Sequence, residues 1–149
     1  MKRLDRILAV IDPTTDAQPA LARAAMLARR CGATLELFIC DFDPSLSGQP
    51  FFDTDKLRQL RDEFLAERLE YLEEAADELR AGGLAVETHV HWDNPLHEGI
   101  LRRVAEFEPD LMVKDTHYHS FLRRALFTNT DWNLVRRCPV PLLLSRTAD

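Results

Sequence analysis

The strongest constraint on the fold is an alternation: short apolar runs recur along the chain, and stretches with helical spacing separate them. Ile7 to Ile11 is the first run, apolar at every position, which fits a strand covered on both faces; Asp12-Pro13 ends it. A helix is expected from Asp16, a candidate cap, with Leu21, Ala24, Ala25 and Ala28 on one face. Arg29 and Arg30 suit its C-terminal dipole, and Gly32 stops it. Thr34 to Cys40 is the second strand, so strand, helix and strand make a crossover of right-handed sense. Residues 41–53 carry two prolines, one glycine and turn formers, which marks a surface excursion; Phe42, Phe51 and Phe52 are expected to tuck onto the body.

A long helix is expected from Thr54 to Arg80, with Leu57, Leu60, Phe64, Leu69, Leu72, Ala76 and Leu79 at three- and four-residue steps, ended by Gly82-Gly83. Its polar face reads most simply as a solvated surface. Leu84 to Trp92 alternates: Val86, Thr88 and Val90 point one way, and Glu87, His89 and His91 the other, as an edge strand does. Asn94-Pro95 opens a helix through Ile100, Leu101 and Val104, and Asp110 to Val113 begins the fourth strand. A short helix from Thr130 to Arg137 and a last strand from Val140 to Ser145 complete the pattern. The fold class is therefore α/β: a single domain with an open, mostly parallel five-stranded sheet of order 3-2-1-4-5 and helices on both faces. In such a sheet ligands bind beyond the carboxyl ends of the strands where the order reverses, here between strands one and four, so Asp12 and Asp115 should line the crevice.

Composition narrows the function. A chain of 149 residues suits one domain, and a net charge of -6 argues against a general nucleic-acid or anionic-membrane binder. No apolar segment approaches the roughly 20 residues that span a bilayer, and the basic start lacks a signal-peptide cleavage pattern, so a cytoplasmic location is expected. Cys31, Cys40 and Cys138 form no CxxC pair and read as reduced, mostly buried thiols. The patterns GxxxxGK[ST], GxGxxG and GxSxG are all missing, which leaves P-loop hydrolysis, ordinary dinucleotide binding and a nucleophile elbow without their signatures. No serine or cysteine has a recognisable base beside it, so no catalytic residue is assigned.

The segment from Val113 to Asp131, VKDTHYHSFLRRALFTNTD, stands at a strand-to-helix junction where phosphates usually bind, yet holds no glycine. Glycine permits the close backbone approach that a phosphate cradle needs. The site is either abolished or rebuilt. Candidate crevice residues are Asp12, Pro13, Cys40, Asp115, Thr116, His117, Tyr118, Arg124, Thr128 and Asn129. Arg123-Arg124 read either as exposed charges or as a clamp for an anion. His89-x-His91 and His117-x-His119 each place two imidazoles on one face of an extended chain, but the strand order puts the pairs about 14 Å apart at roughly 4.8 Å per strand. Asp115, His117 and His119 are a candidate three-ligand metal site; local hydrogen bonding is the alternative. His97 is expected at the surface, and Trp92 and Trp132 as packing anchors.

The segments ILAVIDPTTDAQPALARAA, VHWDNPLHEGI, DLMVKDTHYHS and LFTNTDWNLVRRCPVPLLL together resemble the universal stress protein family, more narrowly the N-terminal domain of its UspE-type tandem members. The resemblance implies the adenine nucleotide alpha hydrolase-like fold, the same sheet that the periodicities predict. Nucleotide-binding members carry G-x-x-G, nine residues, then G and Ser or Thr; aligned through LRRALFTN, those places fall on Asp115, Tyr118, Thr128 and Asn129. All three glycines are replaced. Asp12 matches the acidic residue that lies near the adenine and ribose region in ATP binders of the family. The resemblance thus implies a non-enzymatic stress-response domain with a degenerate nucleotide loop, needing no cofactor and not expected to bind ATP. An ATP-binding switch or slow ATPase is the first alternative, and a metal or small-molecule sensor using His117 and His119 the second. Family dimers pair through the last strand, so Val140, Pro141, Leu142, Leu143 and Leu144 are the expected edge of a homodimer or of a tandem pseudo-dimer. A protein partner is expected but not identified; nucleic acid and membrane are not expected partners.

Overall fold

The computed structural model describes residues 2–48, 54–117 and 129–147. Its elements alternate as the periodicities require: β1 (Arg6–Val10), α1 (Pro19–Cys31), β2 (Thr34–Asp41), α2 (Asp55–Ala81), β3 (Val86–Trp92), α3 (Leu96–Phe107), β4 (Leu111–His117), α4 (Asn129–Arg137) and β5 (Leu142–Thr147), with a 3-10 turn at Pro44–Leu46. The five strands form one sheet in the order β3-β2-β1-β4-β5, and every adjacent pair is parallel. β3 is at one edge and β5 at the other, and the order reverses between β1 and β4, as expected.

Parallel strands are buried on both faces, and the two faces hold different cores. On one, Ile7, Ala9, Leu35, Leu37, Ile39 and Val113 meet α1 and α2. Here α1 contributes only alanines to the fully buried layer, Ala20, Ala24, Ala25 and Ala28, whose small side chains let the helix lie close to the sheet. On the other face, Leu8, Val10, Phe38, Cys40 and Met112 meet Ile100, Val104 and Phe107 of α3 and Leu134 of α4. Glu36 sits in that second layer at 1% exposure, which is possible because Arg103 of α3 donates to both of its carboxylate oxygens, at 2.5 and 2.8 Å.

Local signals set most boundaries. Gly32 ends α1 in the left-handed conformation and returns its N–H to the Ala28 carbonyl. Thr54 caps α2 through its hydroxyl. Five expectations change. α1 starts at Pro19, not just after Asp16. β5 begins at Leu142, so Val140 and Pro141 precede the edge strand rather than belong to it. Leu69 is 41% exposed on α2, one step off the stripe that Leu72 and Ala76 bury. His97 is buried rather than on the surface, because it shares a face of α3 with Ile100, Val104 and Phe107. Trp92 anchors as expected, with its ring 5.0 Å from Phe42 and 5.7 Å from Phe64, but Trp132 is 48% exposed beside Leu134, which takes the buried position on α4. Phe51 and Phe52 lie outside the described residues.

Candidate functional site

A crevice of about 280 Å³ opens at the carboxyl ends of β1, β2 and β4, lined by Val10 to Thr14, Cys40, Asp41, Lys114 and Asp115, with Leu96 and Ile100 of α3 and Thr130 of α4 as its far walls. This is the switch point of the sheet, where the fold leaves a gap between helices that depart to opposite faces.

β1 delivers Asp12 at its end, and the residues after it are tied into a compact turn. The Asp12 carboxylate accepts from the Thr14 N–H at 2.8 Å and the Thr14 hydroxyl at 2.6 Å. The Gln18 side-chain amide donates to the carbonyls of Asp12 and Thr15, at 2.6 and 2.9 Å. Gln18 holds the cap position of α1 but makes no side-chain cap bond to the helix. That role falls to Asp115, whose carboxylate accepts from the Ala20 N–H at 2.9 Å. Asp115 is 4% exposed and Ala20 fully buried, so a carboxylate from β4 fills the positive end of α1 where it faces the crevice.

The next residue back, Lys114, is the one cation among the described lining residues, and it is already engaged. Its ammonium is 2.8 Å from the fully buried carboxylate of Asp131 on α4 and donates to the Asp115 carbonyl at 2.9 Å. Asp41 is paired with Arg68 of α2 at 2.8 Å. Among the described residues the crevice thus presents three carboxylates, Asp12, Asp41 and Asp115, and a lysine neutralised from behind. Cys40 forms part of its floor, where burial pushes the thiol up to about 12; it is protonated and unreactive at neutral pH. Gly99 of α3 passes directly over that thiol: a Cβ there would collide with the Cys40 sulfur and stand 2.8 Å from the Asp93 Cβ.

The structure brings Asp12, Pro13, Cys40 and Asp115 together in one crevice. Thr116 is buried in β4 beyond it. Asn129 lies at the start of α4, exposed, where it accepts from the Asn133 amide at 2.8 Å. His117 is the last residue of β4; Tyr118, His119, Arg123, Arg124 and Thr128 lie outside the described residues, and with them most of the Asp115, His117 and His119 metal arrangement. Sequence reasoning missed Lys114, Asp131, Leu96, Ile100 and Thr130. A lysine placed directly after the apolar run Leu111 to Val113 was the available signal, since an ammonium carried into the sheet requires a partner.

The profile of the family described as the Universal stress protein family matches residues 3–146. Universal stress protein E of Escherichia coli (strain K12) is 34% identical over 142 residues, which cover 95% of this chain and 45% of the relative. The chain spans about half the length of the curated relatives it matches. Among solved structures, one from Pseudomonas aeruginosa UCBPP-PA14 described as a universal stress protein has a TM-score of 0.70 at 28% identity, covering 98% of this chain and 45% of that one. Universal stress protein UspA from Lactobacillus plantarum has a TM-score of 0.77 at 22% identity, covering 98% of this chain and all of that one, a likeness of fold. Matched by that profile from residue 3 to residue 146, on the parallel sheet and crevice described above, the chain belongs to the universal stress protein family.

Proposed function

We propose that the protein is a cytoplasmic, non-enzymatic stress-response domain that acts by pairing through its last strand and by contacts with other proteins, with a crevice that does not hold ATP in the manner of the family's nucleotide binders. The observation that carries this reading is the carboxylate of Asp115 on the N-terminus of α1. A phosphate chain bound at that switch point needs helix N–H groups and positive charge. Here the helix end has an internal anion, the lysine is matched by Asp131, and Asp12 adds negative charge. Coulomb repulsion and the closed helix end both act against a triphosphate.

Membership of the family supports the stress-response role. Pairing is supported by β5, an edge strand of the sheet in which Leu142, Leu143 and Leu144 are only half-buried; such an edge needs cover or a partner. The free thiols of Cys31, Cys40 and Cys138 fit a reducing compartment, and no helix among the described residues is long and apolar enough to cross a membrane.

Calorimetric titration of the full chain with ATP and magnesium tests the crevice: no binding at micromolar nucleotide is expected, and micromolar affinity would replace this reading with a nucleotide-binding switch. Sedimentation equilibrium tests the pairing. A dimer is expected, and a monomer at every concentration would remove the last strand as an interface.

A further inference from the structure

At the β3 edge of the sheet, where His91 pairs with Cys40 of the crevice floor, three side chains with metal-ligating atoms converge. Alternation along β3 puts His89 and His91 on the same face, the one that α3 covers. α3 supplies Glu106 one residue before its end. The Nε2 atoms of His89 and His91 are 3.2 Å apart, and Nε2 of His91 is 3.4 Å from Oε2 of Glu106. All three donor atoms lie within 4.8 Å of one another.

We propose that His89, His91 and Glu106 bind a divalent transition ion of the zinc type and so clamp the edge strand β3 to the end of α3.

Two of the three separations match such an ion. With metal–nitrogen and metal–oxygen bonds of about 2.05 Å, separations of this size correspond to ligand–metal–ligand angles of about 100° and about 110°, close to the tetrahedral value. Two imidazoles and one carboxylate form the donor set that zinc accepts with a fourth position left to water. That position is accessible, since both histidines are half-buried and Glu106 is exposed.

The surroundings hold the ligands in place. Phe38 orients both rings, lying edge-on to His91 at 5.4 Å and stacked with His89 at 6.1 Å. Arg103 donates to Oε2 of Glu106 at 3.1 Å and fixes that carboxylate from behind. Its positive charge, which would otherwise repel a cation, is matched by the buried Glu36.

The test uses the full chain, stripped of metal with a chelator and titrated with Zn²⁺ against a chromophoric competitor. One equivalent is expected to bind. His89→Ala and His91→Ala should each weaken binding by about a hundredfold or more, and Glu106→Gln by about tenfold. Zn²⁺ should raise the melting temperature of the wild type but not of either histidine variant, because an ion that binds only the folded state stabilises it. Co²⁺ in the same site should show the visible absorption of tetrahedral coordination. Glu87→Gln, on the same strand, should bind as the wild type does. If a histidine variant fails to fold, His89→Gln and His91→Gln replace it, with melting in chelator as the check on folding. Absence of stoichiometric binding overturns the proposal. So does binding that survives loss of both histidines, or that is lost instead on changing His117 and His119.

Discussion

Helices α1 and α2 begin in opposite surroundings. Each exposes backbone N–H groups that need acceptors. α2 finds one in the residue just ahead of it, where the Thr54 hydroxyl accepts from the Leu57 N–H at 3.3 Å in an exposed setting. α1 receives its acceptor from Asp115, on a different element 95 positions along the chain, in a buried one. The wet helix start is closed by its own neighbour and the dry one by the sheet. Only the second arrangement makes the start of a helix part of the crevice, and it makes the stability of α1 depend on a carboxylate that lines that crevice.

The largest test of this contrast is chemical. Cys40 lines the crevice floor, and its thiol, raised by burial to about 12 from an ordinary 9.0, has a thiolate population at pH 8 about a thousandfold below that of an unperturbed cysteine. Alkylation of Cys40 by iodoacetamide, read by peptide mass spectrometry, should be at least about a hundredfold slower in the folded protein than in urea. Similar rates would mean that the crevice floor is open to solvent. The folded state also holds that proton more tightly than the unfolded one. The contribution to stability is therefore whole below pH 9.0 and is lost as pH rises toward about 12. Cys40→Ala should flatten this alkaline limb in urea melts.

Next in size, Asp115→Ala should cost about 2–3 kcal/mol in urea denaturation, from a charge-assisted hydrogen bond and its helix-dipole interaction, and Asp115→Asn about half of that. A loss below about 0.5 kcal/mol would show that α1 needs no cap from the sheet. Thr54→Ala should cost about 1 kcal/mol, the usual loss of a hydroxyl cap. Smallest is the coupling between them. With the two helix starts sharing no partner, the double variant should equal the sum of the singles within about 0.5 kcal/mol, and a larger departure would deny that the two ends are independent.

The same contrast explains what could be read from sequence. The α2 start was legible because its cap is its neighbour: Thr54 was expected to open the helix and does. The α1 start was misplaced because Asp16 has the look of a cap while the true acceptor is remote in sequence. Strand order was legible from alternation on β3 and from the apolar runs of β1 and β2, which burial on both faces demands. Strand-end logic pointed to Asp12 and Asp115, and both line the crevice. What could not be read were the pairings that cross elements: Lys114 with Asp131, and Glu36 with Arg103. Each joins a strand to a helix through contacts that no local pattern encodes. His97 was a readable miss, since its spacing to Ile100 and Val104 already placed it on the buried stripe.

Gly99 finally gives the crevice a gauge. Because α3 passes over Cys40 with no room for a methyl group, the absence of one carbon sets how far that helix stands from the floor. Leu96 and Ile100, carried on the same helix, form the wall. The size limit for any molecule entering the crevice is therefore set beneath the floor, by a residue no such molecule would touch, and one added carbon at that point would recalibrate the sieve without altering its lining.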